Sequence, residues 1–167
     1  MSKHNNIILD SKQIEQKIKR IAYQVYETNN ADKEIIIAGI SKNGFILAEK
    51  LSKIVAEISS IKVILCEVFI DKNNPINSVS TSLLQNDYKN KPLVLVDDVL
   101  NSGTTLIYAV KHFLEVPLKK FKTAVLVDRN HKKYPVKVDF KGISLSTSIK
   151  EHVSVEFKNE ETVAYLI

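Results

Sequence analysis

The stretch Leu93-Val-Leu-Val-Asp-Asp-Val-Leu-Asn-Ser-Gly-Thr-Thr-Leu106 decides the reading of this chain. It opens on an unbroken apolar run that is too short for a buried helix and suits a strand covered on both faces. Two acids, Asp97 and Asp98, come next, followed by a small hydroxyl-rich turn, Asn101 to Thr105, that leads into a helical pattern. This order places the acids at the carboxyl end of a strand, where α/β sheets bind their ligands. The turn is expected to aim free backbone N–H groups and the positive end of a helix dipole at one spot, which suits a dianionic phosphate. Ser102, Thr104 and Thr105 add hydroxyl donors, and Gly103 lets a ligand approach the backbone. The carboxylates would repel a phosphate but accept hydrogen bonds from sugar hydroxyls, so the segment is expected to hold a phosphorylated ribose. The plainer alternative is a pair of capping acids beside a turn.

Working outward, Ile14, Ile18, Ile21 and Val25 form the stripe of an amphipathic helix from Ser11 to about Asn29, with Asp10 or Ser11 as its cap. Glu34 to Ile40 and Ile61 to Ile70 read as strands, with a helix from about Gly44 to Ile58 between them. A helix from about Thr104 to Glu115 and a strand from Phe121 to Val127 continue the alternation. Such alternation predicts an α/β fold: a mainly parallel sheet flanked by helices and joined by right-handed crossovers. Asp71 to Lys91, rich in Asn, Ser, Thr and Lys, reads as a long exposed loop. After Asp128 come shorter extended pieces, Val136 to Phe140 and Val153 to Phe157, expected to form a small cap.

The 167 residues, 44% hydrophobic and 26% charged, fit one domain over 1–167 with a sizeable core. No apolar run approaches the roughly 20 residues of a membrane helix, and Met1 to Asn6 is too polar for a signal peptide, so a cytoplasmic protein is expected with no membrane partner. Cys66 stands alone, and His4, His112, His131 and His152 show no zinc-ligand spacing, which argues against a metal held in a protein cage. A net charge of +5 favours anionic partners, although scattered lysines are usually a solvated surface. A Walker loop is absent, and the glycines Gly39, Gly44, Gly103 and Gly142 never fall in a dinucleotide-binding array.

Val94 to Thr105 resembles the phosphoribosyl-pyrophosphate motif of type I phosphoribosyltransferases. Within them the chain is most similar to the bacterial pyrimidine-operon attenuation regulators that double as uracil phosphoribosyltransferases, through Ile7 to Asp10, Ala38 to Ile40, Val94 to Thr105, Ala124 to Arg129 and Thr147-Ser148. The resemblance implies a core over about 7–128 and 153–167, a hood over about 129–152 and a flexible catalytic loop over about 71–91. It implies that Asp97 and Asp98 hold the ribose hydroxyls, and that Asn101, Ser102, Gly103, Thr104 and Thr105 hold the 5′-phosphate. Ser41, Lys42, Asn43 and Gly44 would face the diphosphate, with a cis peptide at Ser41-Lys42 and Lys42 helping the leaving group. Arg129, Val138, Asp139 and Phe140 would contact the base, although Phe140 reads equally well as a plain core aromatic. Mg²⁺ would accompany phosphoribosyl pyrophosphate, and a homo-oligomer is implied.

The expected reaction is transfer of ribose 5-phosphate to a nucleobase, with uracil favoured. Asn101 stands where purine enzymes of this kind carry an aspartate, and an amide is no general base, which disfavours a purine acceptor. Lys42-Asn43 replaces a threonine and an arginine, Ser146 replaces a proline, and Glu67 to Pro92 is shorter than in the regulators. The competing reading is a nucleotide-sensing regulator of pyrimidine genes with little catalysis, binding RNA phosphates through Lys119, Lys120, Lys122, Lys132 and Lys133.

Overall fold

Asp10 starts the first helix by reciprocal capping: its carboxylate accepts from the Gln13 N–H at 2.8 Å, while the Gln13 side chain accepts from the Asp10 N–H at 2.9 Å. The computed structural model describes residues 6–159 and 161–167, so His4 and nearly all of the polar start lie outside the described residues. The elements run β1 (Ile7–Leu9), α1 (Ser11–Asn29), β2 (Glu34–Ile40), α2 (Asn43–Ile58), β3 (Lys62–Phe69), β4 (Ser80–Thr81) and α3 (Gln85–Tyr88). They continue as β5 (Pro92–Leu100), α4 (Thr104–Phe113), β6 (Lys120–Asp128), β7 (Phe140–Ser144), β8 (Val153–Lys158) and β9 (Glu161–Leu166).

The main sheet has six strands in the order β4-β3-β2-β5-β6-β7, parallel throughout except for the short antiparallel edge β4. Every residue of β5 is buried, and alternate side chains feed opposite faces of the sheet. Ile35, Ile37, Val94, Val96, Ala124 and Leu126 pack with α1 and α2. Ile36, Ala38, Leu93, Leu95 and Val125 pack on the other face with Leu106, Ala109 and Phe113 of α4. The chain leaves β2 for β3 on one side and returns to β5 on the other, so a crevice opens between the carboxyl ends of β2 and β5.

Strand placement differs from expectation after Asp128. Phe140–Ser144 is not hood but the outer parallel strand of the main sheet, with Ser144 level with Asp128. Of the strand expected over Val136 to Phe140 only Phe140 is in one, because the residues before it are held locally: the Val136 N–H donates to the Tyr134 carbonyl, and the Asp139 N–H to both the carbonyl and the hydroxyl of Thr123. The Thr123 hydroxyl donates to the Lys137 carbonyl and accepts from the Asp139 N–H. Val153–Lys158 and Glu161–Leu166 form a hairpin that pairs with β1 in a separate antiparallel sheet, β1-β9-β8. The expected loop over Asp71 to Lys91 is shorter than its composition implies. Ser80 and Thr81 pair with Phe69 and Val68, and α3 is anchored by Tyr88, buried edge-on against Phe113 at 5.1 Å. No helix of the described residues is long and apolar enough to cross a membrane.

Gly39 sets how closely α2 lies on the sheet. A Cβ there would stand 2.5 Å from the Phe45 Cα, 2.6 Å from the Gly44 carbonyl and 2.8 Å from the Ala48 Cβ. Two of those atoms are backbone, so the helix itself would have to move. Gly39→Ala is therefore expected to destabilise the fold by about 1 to 3 kcal/mol. The check is urea unfolding, with a lowered midpoint at unchanged slope.

Candidate functional site

Asp97 and Asp98 lie toward the carboxyl end of β5, a strand buried along its whole length, and are themselves only 5% and 9% exposed. The Asp97 carboxylate turns back to accept from the Asp98 N–H at 2.9 Å. Asp98 accepts from the Asn43 amide at 3.0 Å, and the same amide group donates to the Val155 carbonyl at 2.9 Å, joining the first turn of α2 to the second sheet. Gly44 packs directly on Asp97, whose Oδ1 would lie 3.0 Å from a Cβ at position 44. Burial first, and then the negative charge of Asp98, push the Asp97 carboxyl well above the ordinary carboxylate range. Lys72, 3.7 Å from the Asp97 carboxylate, opposes that shift only in part.

The turn after β5 closes tightly. Gly103 has φ of 83°, a left-handed conformation open to glycine, and caps α4 without a side chain, while the Thr104 N–H at the start of the helix donates to the Ser102 hydroxyl at 3.3 Å. The Ser102 and Thr104 hydroxyls are 2.8 Å apart, and the Ser102 carbonyl accepts from the Lys133 N–H at 2.7 Å, which pins the turn from behind. Asp97, Asp98, Asn101, Ser102, Gly103, Thr104 and Thr105 all line one cavity of about 210 Å³, completed by Lys72 and by Val153, Ser154 and Val155 of β8. Carboxylates on one wall and helix N–H groups with hydroxyls on the other fit a ligand with hydroxyls at one end and an anion at the other.

A second cavity of about 630 Å³ shares Asn101 and Ser102 with the first and adds Arg129, Asn130, His131, Lys132, Ile149 and His152. Arg129, 4% exposed, organises it. Its guanidinium donates to the Asn101 side-chain oxygen at 2.8 Å, to the Thr147 hydroxyl at 3.1 Å and to the Ser148 carbonyl at 3.3 Å, and also to the Glu151 carbonyl.

The diphosphate-loop residues meet the site unevenly. The Ser41-Lys42 peptide is cis, Ser41 donates its N–H to the Val68 carbonyl at 3.0 Å, and Asn43 reaches Asp98, but the Lys42 side chain is exposed. Of the residues assigned to the base, only Arg129 lines the second cavity. Phe140 is a core aromatic opposite Ala124. Val138 packs on the α4 side of the sheet. Asp139 accepts from the Thr123 N–H at 3.0 Å and pairs with Lys137 at 3.4 Å. The reason is direction: β7 runs parallel to β6, so its end, not its beginning, reaches the ligand edge. Lys72 and the β8 residues escaped the sequence reading because only tertiary folding brings them to the acids. His131, Ile149 and His152 lacked any local signal.

The five lysines of the RNA reading do not gather. Lys119 and Lys120 bind Asp32, the latter at 3.2 Å, at the start of β6, whereas Lys132 and Lys133 follow its end, about 25 Å away at the usual strand rise. Among the described residues no group of three or more His, Cys, Asp or Glu side chains is placed to hold a metal ion.

This fold and this cavity are those of a phosphoribosyltransferase, and residues 4–160 match the phosphoribosyl transferase domain, so the chain belongs to that family. The chain is 33% identical over 159 residues to the Bifunctional protein PyrR of Clostridium acetobutylicum, covering 90% of this chain and 89% of that one. It is 33% identical over 162 residues to the Bifunctional protein PyrR of Bacillus pumilus, with the same coverage of 90% and 89%. Among solved structures, the hypoxanthine phosphoribosyltransferase of Trypanosoma cruzi superposes with a TM-score of 0.77 over 96% of each chain at 14% identity. A hypoxanthine-guanine phosphoribosyltransferase of Bacillus anthracis gives 0.72 over 86% of this chain and 83% of that one at 19% identity. These two structures share the fold alone.

The raised Asp97 proton affinity predicts a pH signature. The folded state binds this proton more tightly than the unfolded chain, so its contribution to stability falls as pH rises from the unfolded pKa of about 3.9 through the elevated folded value. Asp97→Asn removes that loss while keeping an oxygen to accept from the Asp98 N–H. Ligand-free Asp97→Asn is expected to melt above the parent at pH 8, with the gap closing toward pH 4. Thermal unfolding across that range checks it, and a gap that does not change with pH would contradict the assignment.

Proposed function

We propose that this chain transfers ribose 5-phosphate from phosphoribosyl pyrophosphate to N1 of uracil, releasing diphosphate. The observation that carries the reading is the buried Asp97-Asp98 pair facing the Ser102 to Thr105 turn across one cavity. The 5′-phosphate sits against the N–H groups at the start of α4 and the hydroxyls of Ser102, Thr104 and Thr105, while Asp97 and Asp98 accept from the ribose hydroxyls. As the bond from C1′ to the diphosphate oxygen breaks, its electron pair leaves with diphosphate. The new bond forms between C1′ and N1, whose proton passes to solvent. The ribose gains positive charge on the way, and the two carboxylates are fixed where that charge develops. No covalent nucleophile is needed, and positioning of both reactants supplies much of the rate.

The residues fit a divalent cation beside the substrate: two buried carboxyl groups line the cavity, and among the described residues Lys72 beside Asp97 is the one cation within ion-pair distance of them. Asp97 and Asp98 would hold Mg²⁺ together with substrate oxygens. When bound, Mg²⁺ supplies charge that stabilises the departing diphosphate. Uracil is favoured over purines because Asn101, at the boundary of the two cavities, has no basic group to take a proton.

The test is diphosphate release from phosphoribosyl pyrophosphate and Mg²⁺ with uracil, hypoxanthine, guanine, adenine or orotate. Uracil-dependent release is expected, with kcat/KM lowered about 100- to 1000-fold in Asp98→Asn, the scale of losing one preorganised electrostatic group. Undiminished activity in that variant would sink the assignment.

A further inference from the structure

Asn43 opens α2 in the segment expected to face the diphosphate, yet its side chain is turned inward. Its amide nitrogen lies 3.0 Å from Asp98 Oδ2 and 2.9 Å from the Val155 carbonyl oxygen. A backbone carbonyl can only accept, so the Asn43 atom between these groups is the nitrogen, and its two N–H groups are matched by those two acceptors. No side-chain donor is left at this position for an anion. The Val155 bond has its own structural reason: β8 is the outer strand of its sheet, with β9 on one side only, and the Asn43 amide supplies a donor to the open edge. The two acids are also held differently. Asp97 Oδ1 accepts from the N–H of the next residue along the strand, whereas the bond to Asp98 Oδ2 comes from another element. A carboxyl group turns easily about its last torsion, so pinning Oδ2 fixes the direction in which Asp98 presents Oδ1.

From this geometry we infer that Asn43 is a positioning residue for the ribose, acting through Asp98 and not on the diphosphate. The inference rests on the proposed ribose-phosphate site and moves Asn43 from the diphosphate end of that site to the sugar end. Asp98 can accept from a ribose hydroxyl in a set direction only while its other oxygen is held, and a preorganised acceptor does not lose orientational freedom when the ligand arrives. The same amide group holds Val155, and Val153, Ser154 and Val155 line the cavity together with Asp98, so the acid and this wall keep one spacing. Loss of the amide frees the carboxyl to rotate and leaves the Val155 carbonyl without this donor, while the turn from Ser102 to Thr105 is untouched.

Calorimetric binding of ribose 5-phosphate, inorganic phosphate and diphosphate, without divalent cation, to the parent, Asn43→Ala and Asn43→Leu tests this without requiring turnover. Leucine keeps the bulk of the side chain and removes both donors, so the comparison survives if the alanine variant packs poorly. In both variants ribose 5-phosphate is expected to bind about tenfold more weakly, the scale of one hydrogen bond, while phosphate and diphosphate behave as in the parent. Asp98→Ala should weaken ribose 5-phosphate at least as far, and adding Asn43→Ala to it should change nothing further, since a residue that acts through another has no effect once that other is gone. Weaker diphosphate with unchanged ribose 5-phosphate would return Asn43 to the diphosphate and overturn the inference. Equal weakening of all three ligands would reduce its role to packing and overturn it as well, as would a further loss in the double variant. A parent that binds ribose 5-phosphate, with Asn43→Ala binding it equally well, overturns the inference alone. A parent that binds no ribose 5-phosphate overturns the proposed function, and the inference with it.

Discussion

Adjacent carboxylates buried at the end of a central strand repel one another, and the rest of the structure is arranged to hold them in place. Asp97 and Asp98 are the last polar side chains of an otherwise apolar strand. Neither would choose this position on solvation grounds, since burial raises the free energy of the charged form. They stay because β5 is clamped between β2 and β6, because Gly44 brings the first turn of α2 against Asp97, and because Asn43 donates to Asp98. The close approach at Gly39 lets α2 start that near the acids. The electrostatic cost is thus borne by packing elsewhere in the core, the usual location of strain at a functional site.

The second sheet belongs to the same arrangement. One amide, Asn43, donates both to Asp98 and to the Val155 carbonyl of β8, so the small sheet is tied to the acids themselves. Val153 and Val155 pack into the core on the α1 and α2 side, and together with Ser154 they line the cavity. The hairpin therefore serves as a wall of the site as well as a cover for the helices, and β1 at the other end of the chain completes its hydrogen bonding.

Much of this was legible in the sequence because local and tertiary preferences agree there. The Ile14 to Val25 stripe, the apolar run from Glu34 to Ile40, and the order of strand, acids and turn from Leu93 to Thr105 each carry a signal that tertiary packing reinforces. What failed to show were features decided by distant partners. The apolar alternation of Val136, Val138 and Phe140 looks like a strand, but local bonds to Tyr134 and Thr123 hold the backbone there, and the real strand begins at Phe140. Ser80 and Thr81 look like loop, yet the open edge of β3 supplies a ladder. The end of β7 that reaches the ligand edge was hidden by the same cause, since it is fixed by pairing with β6.

The two cavities carry opposite charge, and the opposition follows the chemistry proposed for them. Among the described residues the Asp97 carboxylate has Lys72 against it on one side, and on the other Arg129 donates to neutral oxygens. Asn101 lines both cavities, its side-chain oxygen accepting from the Arg129 guanidinium. A reaction in which the sugar becomes cationic while an electron-rich base approaches it has this same polarity along its axis. An environment whose dipoles already point that way need not reorganise as the bond changes hands, and such preorganisation is the largest electrostatic contribution a folded chain can make to a rate.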